Sequence, residues 1–182
     1  MILENLNDEE ILVLLNYYVN QNELTKALDI CEVRKYELSS ISFIHAAILC
    51  QIGLYDRAIA LYLIVLEADP NNELCKFQLG VAQFFSSLHN NESAFETWSG
   101  LDDFLDFSEA FKALAQREFS EAERRLENFI INNKKYPELN ADAESLLVKI
   151  RKNVDEAVVD SEEMTEHRVN NEVESLLSIY KQ

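Results

Sequence analysis

Four alanines divide most of this chain into segments of similar size. Ala27, Ala58, Ala94 and Ala122 each follow a short polar break and lie about two helical turns before the end of an amphipathic stretch. A small residue at that place lets two helices joined by a tight turn approach closely. Repetition of such a unit is typical of stacked helical hairpins. The sequence therefore predicts a series of helix-turn-helix units.

The clearest unit covers residues 39–72, a span of 34 residues. A break at 53–56 separates its two predicted helices, and the expected packing positions are Ala46, Leu49, Ala58, Tyr62 and Val65. This unit resembles the tetratricopeptide repeat (TPR). The resemblance implies an all-α fold, a right-handed superhelical solenoid of about four TPR-like units followed by a C-terminal capping helix.

The other units follow the same pattern with different turn lengths. We expect paired helices on either side of polar breaks at 20–23, 89–91 and 118–120, and a capping helix over 140–152. The predicted domains are therefore a solenoid over 1–152 and an acidic, helical extension over 153–182. The extension keeps a helical spacing of Val169, Val173, Leu176, Leu177 and Tyr180. It could dock on the solenoid, contact a second subunit, or be a solvated helix.

Charge and hydropathy argue against two classes of partner, nucleic acid and membranes. The chain has 33 Asp and Glu against 16 Lys and Arg, a formal net charge of -17. Such a field repels phosphate backbones and anionic lipid headgroups, so we expect no nucleic acid as partner. No apolar run reaches the roughly 20 residues that cross a bilayer, and acidic residues precede the first apolar stretch. We expect no membrane insertion.

Cysteine usage and motif content bear on compartment and catalysis. Cys31, Cys50 and Cys75 are odd in number and widely spaced, which is typical of a reducing cytoplasm. The sequence lacks a glycine-rich phosphate loop, a zinc-binding histidine pair and a Gly-x-Ser-x-Gly motif, and its three histidines fall on different segments. We therefore expect no catalytic residues, no metal, no cofactor and no enzymatic activity.

A binding surface is expected on the first helix of each hairpin, because these helices line the concave side of a TPR array. The predicted surface is apolar and aromatic, and its partner-binding candidates are Phe43, Cys50, Phe77, Val81, Phe84, Phe85, Phe107 and Phe111. Phe84 and Phe85 point about 100° apart on a helix, so at least one is expected to face the groove or a partner. The alternative for any single phenylalanine is core packing.

A second resemblance covers residues 39–152, where stretches 50–58, 77–82 and 119–123 are similar to the translocator chaperones of bacterial type III secretion. It implies a cytoplasmic chaperone that grips an apolar segment of a secreted translocator in its aromatic groove, with weak homodimer formation. The alternative is a structural adaptor in a larger complex, which uses the same repeat physics with a folded protein as partner. Both are non-catalytic protein-protein interaction modules.

Overall fold

The structure, a computed structural model, describes residues 3–34, 38–87 and 90–159. Regular structure in these ranges is helical and includes no β-strand, which confirms the all-α prediction. Residue contacts divide the chain into two compact units, Met1–Thr97 and Trp98–Gln182. Residues 160–182, most of the predicted extension, lie outside the described residues.

The described part of unit 1 contains a short 3₁₀ turn followed by six helices, of which the first five pack one on the next along the chain. An Asn7–Glu10 capping box starts the first helix, since each side chain accepts a backbone N–H of the other residue. The helices are α1 (Asp8–Asn20), α2 (Leu24–Val33), α3 (Ser39–Gln51), α4 (Tyr55–Ala68), α5 (Glu73–Ser86) and α6 (Glu92–Trp98).

Unit 2 begins at the end of α6 and contains a 3₁₀ turn at Asp102–Phe104 and three further helices. These are α7 (Leu105–Ala115), α8 (Phe119–Asn132) and α9 (Glu138–Val159), with α8 packed against both of the others. A helix is therefore present where the capping helix was predicted, and it is longer than expected. The boundary predicted after residue 152 falls inside the continuous α9.

Three hairpins are closed by the same turn. Asn22, Gly53 and Arg117 have positive φ angles of 56°, 79° and 63°. The residue after each donates its N–H to a carbonyl five residues back, as Leu54 does to Leu49 at 2.8 Å. This is the Schellman arrangement, in which one left-handed residue ends a helix and reverses the chain. Hairpins α1–α2, α3–α4 and α7–α8 can therefore be aligned residue by residue from the turn.

The alanines that first suggested a repeat occupy equivalent buried positions. Ala27, Ala58 and Ala122 each follow the turn residue by five positions and are fully buried. Ala94 of α6 is also buried. A larger side chain here would push the paired helices apart, which costs about 1–3 kcal/mol in a packed core.

Candidate functional site

Seven of the eight predicted partner-binding side chains lie in the core. Phe43 alone is half-buried, and the exposed fractions of the rest are at most 5%: Cys50, Phe77, Val81, Phe84, Phe85, Phe107 and Phe111. A partner cannot touch these seven without displacing what covers them. Binding by this set stays a prediction, but the expectation that the set is exposed is wrong.

Phe84 and Phe85 show why the helical-wheel argument failed. The two rings contact each other edge to face, with centroids 5.6 Å apart and planes at 83°. Phe85 stacks on Tyr55 of α4 at 5.6 Å between ring centroids, and Phe84 packs against Phe95 of α6 at 6.4 Å. Helix α5 is thus covered on two sides by different neighbours. The expectation that one of the pair faces a groove is therefore wrong.

The two unit 2 candidates belong to a stack of aromatic rings. Phe107 and Phe111 lie 5.6 Å apart with nearly parallel planes. Phe107 also contacts Phe129 of α8 at 4.8 Å, and Phe111 stacks on Trp98 at 5.4 Å. Aromatic pairs at these distances contribute about 0.5–1.5 kcal/mol beyond area burial. Phe107 thus packs α7 against α8, and Phe111 packs α7 against the last residue of α6.

Phe43 differs because its helix face is only partly covered. Its ring lies 5.7 Å from that of Tyr62 and is half-buried, as are Ala47 one turn later and Leu12 and Val19 on α1. Phe43 is thus the candidate that remains accessible, and we call Phe43 and Ala47, which lie one turn apart on α3, the Phe43 surface. The surface is modest and apolar.

The three thiols are poorly suited to chemistry. Cys31, Cys50 and Cys75 are free and buried, and burial raises the pKa of each to about 12. They therefore stay protonated at neutral pH, whereas a thiol nucleophile must ionise. In the described residues no His, Cys, Asp and Glu side chains are grouped as a metal-ligand set.

One departure from a solvated helix surface is on α4. Residues 58–66 are nine consecutive apolar residues, and α4 buries only one side of them: Ala58, Leu61, Tyr62 and Val65. On the other side Ala60 is exposed, Leu63 is 48% exposed and Ile64 is 37% exposed. We call Ala60, Leu63 and Ile64 the outer α4 surface. A helix that is apolar all round normally has partners on both sides.

The aligned hairpins provide an internal reference for this surface. The equivalents of Ala60, Leu63 and Ile64 are Asp29, Glu32 and Val33 in α2, and Arg124, Glu127 and Asn128 in α8. Five of those six residues are polar or charged. Apolar residues at all three positions are therefore particular to α4, although Val33 of α2 is also exposed. Sequence reasoning missed them, although the nine-residue apolar run was the available signal.

Carboxylates lie at both ends of the outer α4 surface. Asp56 is in the first turn, where it accepts a hydrogen bond from Ser86 Oγ at 2.8 Å, and Glu67 is exposed in the last turn. Arg57 at the edge is paired with Glu32 of α2 at 3.3 Å. The surface is thus an apolar strip bounded by negative charge.

Comparison with models of protein families, with curated proteins and with solved structures finds no match to this chain. Among the described residues, none of the helices combines the length and apolar character that crossing a bilayer requires.

Proposed function

We propose that this chain is a non-catalytic protein-binding module made of tandem TPR-like hairpins, with the outer α4 surface as its principal contact. The observation that carries the proposal is the exposure of Leu63 and Ile64 where the aligned hairpins are mostly polar. Exposed apolar surface bounded by polar residues is characteristic of protein contact sites. The shared Schellman turns and the buried alanines support a solenoid arrangement of the repeats.

In this proposal the module acts as a structural adaptor in a larger complex. An adaptor uses an outer helix surface on a folded or helical partner and leaves the aromatic core undisturbed. Grooves that accept a helix bind its apolar side chains at spacings of three and four residues, which matches the spacing of Ala60, Leu63 and Ile64. The proposal places the protein in the cytoplasm, where its free, buried thiols stay reduced.

The secretion-chaperone role is a second candidate, favoured by the half-buried Phe43 surface. A short apolar client segment could cover Phe43 and Ala47 on α3. The modest area of that surface would allow release of the client, as a transient chaperone requires. The remaining predicted groove residues would act in this role only after a rearrangement of the core.

The experiment compares Leu63→Asp with Ile131→Asp. Both replace an exposed apolar side chain by a carboxylate, and Ile131 of α8 is 66% exposed. Full-length tagged proteins are isolated from their native cells, and co-purifying proteins are identified by mass spectrometry. Leu63→Asp should keep the helical circular dichroism and lose a protein that wild type and Ile131→Asp retain.

Three results bear against the adaptor. Retention of the same proteins by Leu63→Asp would refute binding through the outer α4 surface. Loss of partner with Phe43→Asp but not with Leu63→Asp, at unchanged helicity, would favour the chaperone candidate. Absence of any specific protein partner from wild type would contradict both.

A further inference from the structure

The ends of the outer α4 surface restrict what can cover it. Asp56, Ala60, Leu63, Ile64 and Glu67 lie within about 100° of arc on α4. The two carboxylates are about 16 Å apart along the helix axis, with the apolar side chains between them. A complementary surface must therefore be apolar in the middle and positive at both ends.

The C-terminal end of α4 strengthens the requirement for positive charge. Glu67 lies in the last helical turn and Asp69 follows it, while the last turn contains no basic residue. Carbonyl groups at a helix C-terminus carry a partial negative charge, so carboxylates there are unfavourable and a cation is stabilising. A partner's lysine or arginine would offset this local repulsion.

Two occupants supplied by the chain itself fit this pattern poorly. The C-terminal residues 160–182 carry Arg168 and Lys181 on either side of an apolar spacing, but six Asp and Glu outnumber these two cations, so the segment as a whole is repelled by the two carboxylates. A second copy would bring together two chains of formal charge -17 each. Its Arg57 could oppose Glu67 in an antiparallel pair, but Arg57 already pairs with Glu32.

We propose that the outer α4 surface binds an amphipathic α-helix of a partner protein, with apolar residues at spacings of three and four and a Lys or Arg on each side of them. The basic residues pair with Asp56 and Glu67, which sets a separation of about ten or eleven residues between them. This inference rests on the proposed function, because it identifies the chemistry of the partner at that same surface.

The test uses full-length protein in which Leu63 is replaced by the photoreactive residue p-benzoyl-phenylalanine. Cross-linking in the native cells is followed by mass-spectrometric mapping of the attached segment, with the same residue at position 131 as control. Mixed isotope labelling distinguishes a second copy from a different protein. The mapped segment is then synthesised, and its affinity is measured for wild type, Glu67→Lys and Glu144→Lys, where Glu144 is an exposed carboxylate of α9.

The expected result is a segment of another protein that carries basic residues on both sides of a helical apolar stripe. Glu67→Lys should weaken its binding about tenfold at low salt, because an attractive pair becomes a repulsive one. Glu144→Lys should leave its affinity within about twofold, since surface charges distant from a contact are screened.

Each other outcome overturns the inference. A cross-link to residues 160–182, to a second copy, or to a segment without flanking basic residues would show a different occupant. Equal affinity for wild type and Glu67→Lys would exclude charge pairing at that end. A cross-link to an uncharged or acidic segment of another protein would overturn this inference but leave the proposed function standing. The absence of any specific cross-link at position 63 would contradict both the inference and the proposed function.

Discussion

Helices α4 and α8 have the same place in their hairpins but different outer surfaces. Both follow a Schellman turn, and both bury an alanine at the fifth position after the left-handed residue. On the outside, α8 carries Glu123 and Glu127, which pair with Arg151 of α9 at 2.6 Å each, whereas α4 exposes Leu63 and Ile64. Repeat geometry constrains the inner side of a hairpin and leaves the outer side free to acquire a partner.

The largest effect on stability is expected from substitutions on the buried inner sides of α4 and α8. Tyr62 and Leu126 are equivalent and fully buried. Leu126→Ala should lower the free energy of unfolding by about 2–5 kcal/mol, and Tyr62→Ala by at least as much, because each leaves a cavity. Urea denaturation measures both. A loss below about 1 kcal/mol in either variant would show that the two inner surfaces are not equivalent.

The next largest effect comes from giving α4 the outer residues of α8. The triple change Ala60→Arg, Leu63→Glu and Ile64→Asn alters only exposed side chains, so we expect its unfolding free energy to stay within about 1 kcal/mol of wild type. Partner binding should weaken by about 2 kcal/mol or more, roughly thirtyfold, as is typical for loss of contact hot spots. Calorimetric titration with the purified partner measures this change.

The control for that variant is the loss of one exposed apolar side chain on α8. Replacing Ile131 by Asp removes an exposed apolar side chain from the second unit. Partner affinity should be unchanged. If the control loses the partner as well, the apolar surface of α4 has no special role and the contrast between the helices fails.

A smaller effect is expected where α8 contacts α9. Arg151 bridges Glu123 and Glu127, but all three side chains are about one-third to one-half exposed. Exposed pairs contribute about 0.2–1 kcal/mol, so Arg151→Ala should destabilise unit 2 by at most about 1 kcal/mol at low salt. Lys134→Ala, which removes an exposed cation from the same unit, should have less effect in urea denaturation. An equal loss from both would indicate a general charge effect.

The sequence predicts the hairpins well because turns and small packing residues are local signals. Gly53 lies at a left-handed position, and Ala58 follows it by five residues, so both the break and the close approach can be inferred without tertiary information. Asn22 and Arg117 adopt the same conformation at greater steric cost, since they carry side chains. For these two the helical pattern on either side, together with the polar break, indicated the turn.

Which aromatic residues are exposed could not be predicted in the same way, because burial depends on what lies on the far side of each helix. Phe84 and Phe85 have different neighbours, Phe95 and Tyr55, and both are buried. The outer α4 surface required a different inference: a helix apolar around its circumference cannot bury every side in one hairpin. The apolar run at residues 58–66 is visible in the sequence of α4 without knowledge of its neighbours, so it was a usable signal.

The smallest expected effect is the pH dependence of stability that a carboxylate on the outer surface of α8 contributes. Hydrogen bonds from Arg124 and Arg125 lower the pKa of Glu121 from its ordinary 4.5 to about 2. A carboxyl whose pKa is depressed by folding stabilises the folded state above the ordinary pKa, and this contribution disappears as pH falls from about 4.5 to about 2. Because Glu121 is solvent-exposed, the effect is small.

Glu121→Gln should therefore be slightly less stable than wild type at pH 7, and the difference between them should shrink at pH 3. A difference in unfolding free energy that grows on acidification would show that the charged cluster on α8 opposes folding. The outer charges of α8 would then not be stabilised by partners within the chain.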